Sequence, residues 1–465
     1  MRFVTVMFGV SLLFSAAIAQ WEPDVNLTNN PSTTYMAAPN NHPICASGDS
    51  VYTVFVDDRT GVFQVYFTRS LDDGATWDSA VCLSGDSTST FVPALAVSGP
   101  AVHVAWETST NLAIKYRRSS DAGVTWSNED TLAACALGLG DPSLAVEGNT
   151  VGLAWGDQRD GLSNGELYLK RSGDGGLTWG PDTRLTFRTD TLDKEPCLVI
   201  SGNFWHLVWT QMSWTGYNMR SWYQRSTDGG ASWQAPSPVA QDTTSQSRPS
   251  IAVVGPSVHI CWWDGRPGEY GIHYHGSVDN GASWGPEHVL SDTLVGSDYP
   301  QLAATRGNVY VAFRTWPTGQ LVIDYCGSTD NGQTWSAETT LSSVAGMGTS
   351  ALAASGSRVH LVVYDNREGN FELYYKRNLN AGGVEEERST PYALRPTPDA
   401  MIVRGCLLLS EAVGGERSAK SALLLDIAGR KVLDLHPGVN DVSRLSPGVY
   451  FVQAAGAARK FIVQR

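Results

Sequence analysis

Ser226-Thr-Asp228-Gly-Gly230-Ala-Ser232-Trp233 is one of six near-copies of a single turn in this chain. The others run Ser70–Trp77, Ser119–Trp126, Ser172–Trp179, Ser277–Trp284 and Ser328–Trp335. A degenerate copy, Asn378-Leu379-Asn380-Ala381-Gly382, has lost its aspartate and tryptophan. Each residue type has a structural job. The Asp carboxylate accepts hydrogen bonds from backbone N–H groups of its own turn. The glycine supplies a positive φ, and the Trp packs as a wedge beneath neighbouring strands. The tryptophans recur roughly every fifty residues, the length of a four-stranded propeller blade.

The remaining strands fall into register with these turns. An inner strand begins near Pro43, Pro93, Pro142, Pro196, Pro249 and Pro300, with Ser350-Ala351-Leu352 as a degenerate seventh. Second strands follow, as in Val102–Trp106, Val151–Trp155, Val258–Trp262 and Val359–Val363. Third strands include Glu166–Lys170 and Glu372–Lys376, and a fourth follows each turn tryptophan. Trp21–Thr28 resembles such a fourth strand with no turn before it, whereas the last unit, ending near Arg377, lacks one. The N-terminal strand can therefore close the ring and remove an exposed sheet edge. The expectation is an all-β chain with a seven-bladed β-propeller, six blades with one divergent unit being the alternative.

The S-x-D-x-G-x-[ST]-W pattern resembles the Asp-box of the sialidase-like β-propeller superfamily, over residues 20–388. Sialidases usually have six blades, so the tally departs from the enzymes. The resemblance implies three arginines on a sugar carboxylate, a tyrosine nucleophile activated by glutamate, and an aspartate handling the proton. The family's Arg-Ile-Pro motif belongs at the first inner strand, where this chain has Asn41-His42-Pro43. The nearest match, Ser247-Arg248-Pro249, falls in the fifth unit.

Both ends read differently from the middle. Residues 1–19 have the positive start, apolar run and small residues of an export signal, so the expected location is secreted or on the outer cell surface. The apolar run is too short for a membrane anchor, and no nucleic-acid partner suits a net charge of −13. Residues 389–398, rich in Pro, read as a linker. Beyond it, Asp426-Ile-Ala-Gly429-Arg430-Lys431-Val432, Leu445–Val452 and Arg459–Arg465 resemble the C-terminal sorting domain of type IX secretion. That resemblance implies a small β-sandwich over 399–465 and the type IX machinery as a partner. The seven scattered cysteines read as buried small hydrophobes. No phosphate loop, serine elbow or metal-ligand cluster is evident, so neither cofactor nor metal is expected.

Chemistry is expected opposite the turns, where starts of inner strands meet ends of second strands. Before the inner-strand prolines lie His42, Asp141, Lys194 with Glu195, Arg248, and Asp298 with Tyr299; ending second strands are Glu107, Arg314 and repeated pairs such as Asp157-Gln158-Arg159. Asp141, Glu195, Arg248, Tyr299 and Arg314 are the catalytic candidates. Trp214, Tyr217, Trp263, Arg266 and Trp316 are candidates for binding a sugar by stacking and hydrogen bonding. The repeated Asp-x-Arg pairs read as structural ion pairs, and the recurring His103, His259 and His360 as packing. Three classes compete: a binding module for extracellular carbohydrate or protein, a glycoside hydrolase, and a scaffold.

Overall fold

The computed structural model describes residues 21–381 apart from 36–41, 86–87, 110–111, 215–217, 242–244, 267–270, 293–294, 318–319, 344–347 and 380, and, within 401–463, chiefly strand backbone. The chain divides into two compact units, Met1–Val384 and Glu385–Arg465. The export-signal and linker readings lie outside the described residues.

The first unit is a seven-bladed β-propeller. Its innermost strands are Ile44–Ser47, Thr90–Ser98, Leu139–Glu147, Thr191–Ser201, Gln246–Val254, Ser297–Thr305 and Thr349–Ser355. Each packs against the next, and the last packs against the first. We number the blades 1 to 7 in that order. Within each, strands pair antiparallel from the axis outward. Blade 7 is completed by Val25–Asn26, which pairs with Tyr375 and Tyr374, as the sequence led us to expect.

Seven apolar clusters hold the ring, one between each pair of neighbouring blades. The turn tryptophans are their outer wedges. Trp126 of blade 2 meets Phe67 of blade 1 edge-on at 5.0 Å, and Trp179, Trp284 and Trp335 meet Tyr116, Tyr223 and Tyr274 of the preceding blades at 5.2, 5.0 and 4.7 Å. Blade 7 has no turn tryptophan. Trp21 takes its place, edge-on to Tyr325 at 5.2 Å, with the Glu22 N–H on the Arg377 carbonyl where the other blades make the same bond. The N-terminal strand thus supplies both the missing ladder and the missing wedge.

The wedge aromatics are fixed from behind. Tyr116, Tyr223, Tyr274 and Tyr375 share hydrogen bonds of 2.7–2.8 Å with His103, His206, His259 and His360. Burial holds these imidazoles below their usual range, so they are neutral packing groups. Blades 1 and 6 carry Tyr52 with Phe67 and Tyr310 with Tyr325 at these positions, whereas blade 3 has Gly152 and Leu169, and Trp205 of blade 4 fills the space, 2.6 Å from where a Gly152 Cβ would stand. At the turn itself, Gly281 has φ +71° and a Cβ there would meet the Tyr223 hydroxyl at 2.0 Å. The turn closes as read: Ser70 Oγ donates to Asp72, whose carboxylate accepts the Thr76 N–H at 2.8 Å and hydroxyl at 2.7 Å.

Three expectations are corrected. The inner-strand prolines do not mark strand starts in blades 2–6; strands begin earlier, and each Pro sits in a β-bulge where it withdraws no ladder donor. Fourth strands are shorter than read, Thr183–Arg184 in blade 3. Cys82 is exposed and Cys45 half-buried, whereas Cys135, Cys197, Cys261 and Cys326 are buried; all six are free thiols.

In the second unit, a five-stranded sheet runs in the order Met401–Val403, Ala457–Val463, Gly448–Ala454, Ala422–Asp426, Lys431–Leu435, and Cys406–Leu409 pairs with Gly438–Asp441. No helix among the described residues is long and apolar enough to cross a membrane.

Trp21→Ala and Trp179→Ala should each cost roughly 2–4 kcal/mol in urea unfolding, as half-buried indoles in a packed interface. Leu177→Ala, at a turn position 62% exposed, should change stability by less than about 0.5 kcal/mol. Equal effects in all three would contradict the wedge assignment.

Candidate functional site

The bulges of blades 2–6 shape the face opposite the turns. In each, the residue before proline adopts a left-handed backbone: Val92, Asp141, Glu195, Arg248 and Tyr299 have φ between 50° and 54°. His42, before Pro43, has φ 49°. Each such conformation costs about 1–2 kcal/mol for a residue with a Cβ. Its recurrence at Val92 shows that it belongs to the architecture. Its effect is to turn successive side chains to the axis, so that those of neighbouring blades meet. Blade 7, which has no proline there, has an unbroken ladder from Thr349 to Ser355.

A second ring surrounds the first. Val56, Glu107, Gly156, Thr210, Trp263, Arg314 and Tyr364 occupy one register position near the ends of the second strands. Where they can, they hold the bulge N–H of the next blade. Glu107 accepts that of Asp141, and Thr210 Oγ1 that of Arg248 at 2.9 Å. Gly156 has no side chain to offer, and the Glu195 N–H donates instead to Asp141 Oδ2 at 3.3 Å.

The two sides of the mouth differ in chemistry. Blades 2–4 present Glu107, Asp141 and Glu195, with the Lys194 ammonium 3.6 Å from Glu195. Burial, then the charge of Asp141, pushes Glu107 up to about 7. Burial, then Glu195, pushes Asp141 up to about 6. Blades 5 and 6 present a cationic, aromatic stack. The guanidinium carbons of Arg248 and Arg314 each lie 3.9 Å from the Tyr299 ring centroid, and Arg248 donates to the Tyr299 hydroxyl at 3.0 Å. Tyr35 links the sides: burial raises its hydroxyl pKa, and the charges of Tyr299 and Asp141 add to the shift. Its ring meets Tyr364 edge-on at 5.7 Å.

His42 forms the floor. Its Nε2 lies 3.1 Å from Cys197 Sγ, joining blade 1 to blade 4 across the axis. Burial lowers the imidazole to about 4 and raises the thiol to about 12, so both are neutral. Beneath them is an apolar channel of about 250 Å³, lined by three residues of each innermost strand, such as Leu95, Ala96 and Val97.

The structure therefore gathers Asp141, Glu195, Arg248, Tyr299 and Arg314 at one mouth, but not in the roles the resemblance implies. Arg314 is buried and committed, with two 2.7 Å bonds to Asp298 and one of 3.0 Å to the Gly348 carbonyl; it positions Tyr299. Arg266 lies at the outer part of blade 5, bonded to Asp264 at 2.7 Å and Glu287 at 2.9 Å, and does not join the cluster. The Asp-x-Arg pairs are structural, each Asp buried and accepting the Arg backbone N–H as well as its guanidinium. Trp263 is half-buried in the second ring and Trp316 stands 5.3 Å from the Arg314 guanidinium. Trp214 is exposed on a loop of blade 4, and Tyr217 lies outside the described residues. Tyr35, Tyr364 and Thr210 were missed as candidate site residues; for Thr210 and Tyr364 the ladder position shared with Glu107 and Arg314 was the signal available in the sequence, whereas Tyr35 is brought there by pairing with Val56.

Both raised carboxyls bind a proton more readily folded than unfolded. Their contribution to stability is present below their ordinary range and lost as pH rises through about 6 and about 7. The buried histidines titrate with the opposite sign, so the test is a difference. Glu107→Gln should gain in melting temperature relative to the parent as pH rises from about 5 to about 8. A difference independent of pH would show that Glu107 is not held protonated.

No protein-family model matches the chain, and no curated protein matches it significantly. Among solved structures, it is similar in fold to the polysaccharide lyase Uly1, at 10% identity and a TM-score of 0.50, over 78% of this chain and 99% of that one. The phage phi92 endosialidase is matched at 10% identity and a TM-score of 0.48, over 94% and 87% of the two chains. The sialidase of Trypanosoma rangeli is matched at 15% identity and a TM-score of 0.41 over 62% of this chain; the match spans about half of that enzyme's length, 55%.

Proposed function

We propose that this chain is an exported, surface-exposed or secreted propeller that recognises extracellular glycans at its channel mouth. Its second unit would address it through the type IX machinery. The observation that carries the reading is the ring of bulges, which turns two carboxylates, a guanidinium and a tyrosine from consecutive blades towards one axis. Hydroxyl-rich ligands need that mixture: acceptors and donors for hydroxyls, and ring faces for the apolar side of a sugar. The fold alone does not choose a function.

The second reading is a glycoside hydrolase, and the raised carboxyls favour it. An acid with a pKa near the working pH serves as a general acid, and Asp141 and Glu107 meet that condition. Exo-sialidase chemistry fits less well. Among the described residues two arginines flank Tyr299 where three are needed, and its hydroxyl accepts from the Arg248 guanidinium where the chemistry calls for a glutamate.

The test is a screen of the full chain against sialylated and plant-type oligosaccharides, measuring binding and turnover together. Arg248→Ala and Glu195→Gln should each weaken binding at least about tenfold, as lost charge-assisted hydrogen bonds, with unfolding midpoints unchanged. Retained binding with turnover abolished in Asp141→Asn would select the hydrolase. Affinities equal to the parent's in both binding variants would overturn the assignment of the mouth.

A further inference from the structure

Blade 4 carries an exposed aromatic, Trp214, outside the mouth. Trp214 is 40% exposed, yet its orientation is fixed. Its indole N–H donates to the Ser163 carbonyl at 3.0 Å and its backbone N–H to the Asp190 carbonyl at 3.3 Å. The Asp190 N–H in turn donates to Asn164 Oδ1 at 2.9 Å. Three loops thus hold one indole in place with part of its surface in solvent. Leu162, beside Ser163, is 63% exposed, and the neighbours are hydrogen-bonding residues. Among the described residues this one exposed ring is too small for a stable protein interface, which needs about 800 Å² per partner; it suits a sugar ring, apolar on its face and polar at its edge.

The ledge is continuous with the mouth. The innermost strand Thr191–Ser201 runs from one to the other: Thr191 pairs with Ser213, next to Trp214, and Lys194, next to Glu195, pairs with Thr210. At about 3.3 Å per residue the separation from Trp214 to Glu195 is roughly 13 Å, more than one monosaccharide spans. Resting on the glycan reading above, we infer that the ligand is an oligosaccharide laid along blade 4, not a single terminal sugar. One unit occupies the mouth and a later, uncharged unit stacks on Trp214.

The experiment is calorimetry of the full chain with hyaluronan disaccharide and octasaccharide, which alternate acidic and neutral sugars. The parent should bind the octasaccharide roughly five- to tenfold more tightly than the disaccharide, the gain expected of one aromatic contact. Trp214→Ala should lose that gain and leave disaccharide affinity unchanged; Trp214→Phe should keep most of it. A length gain that survives Trp214→Ala overturns the ledge alone. Disaccharide affinity unaltered by Arg248→Ala overturns the mouth reading alone, and failure of both lengths to bind overturns both.

Discussion

Six of the seven blades lean on the one before through a single edge-on aromatic contact, blade 4 fitting Trp233 into an apolar cluster with Leu169 instead, and the rest of the molecule depends on that repetition. The indole at the end of the turn fits against the preceding blade's third strand. Because every interface buries its own apolar cluster, stability is spread around the ring, not gathered in one core. The arrangement tolerates local change when volume is conserved. Blade 3, which lacks the usual His–Tyr pair, is filled by Trp205 from its neighbour.

That regularity explains how much was legible in the sequence. The turn motif is local chemistry, written in consecutive residues, and its spacing carried the strand order and the expectation of seven blades. The closure by Trp21–Asn26 was readable because the last unit lacked a strand and the first residues had one to spare. The prolines were misread as strand starts, since a proline in a bulge and one at a strand end look alike without a partner strand.

The site was legible as a set of residues and not as a set of roles. Position before proline picked out Asp141, Glu195, Arg248 and Tyr299, because equivalent positions converge on an axis. Which groups pair there depends on side chains of adjacent blades. That Arg314 is spent on its cross-strand partner Asp298 and that Arg266 is held by Glu287 are contacts within one blade, and that Gly156 leaves Asp141 to satisfy Glu195 is a contact between two. Nothing in single-chain spacing encodes them. The same holds for His42, whose partner Cys197 lies 155 residues away.

The pairing of Val25 with Tyr375 has a kinetic consequence. The earliest strand of the ring must wait for the latest, so the sealing contact has a very long sequence separation, and loop-closure entropy must be met before it rewards the chain. Six blades can assemble as neighbours while the seventh stands with one sheet edge open. A chain in that state exposes an unpaired strand and an unfilled indole pocket, the features that invite association with other copies. The slowest and most hazardous moment in the life of this propeller is therefore expected to be the docking of its own beginning onto its end.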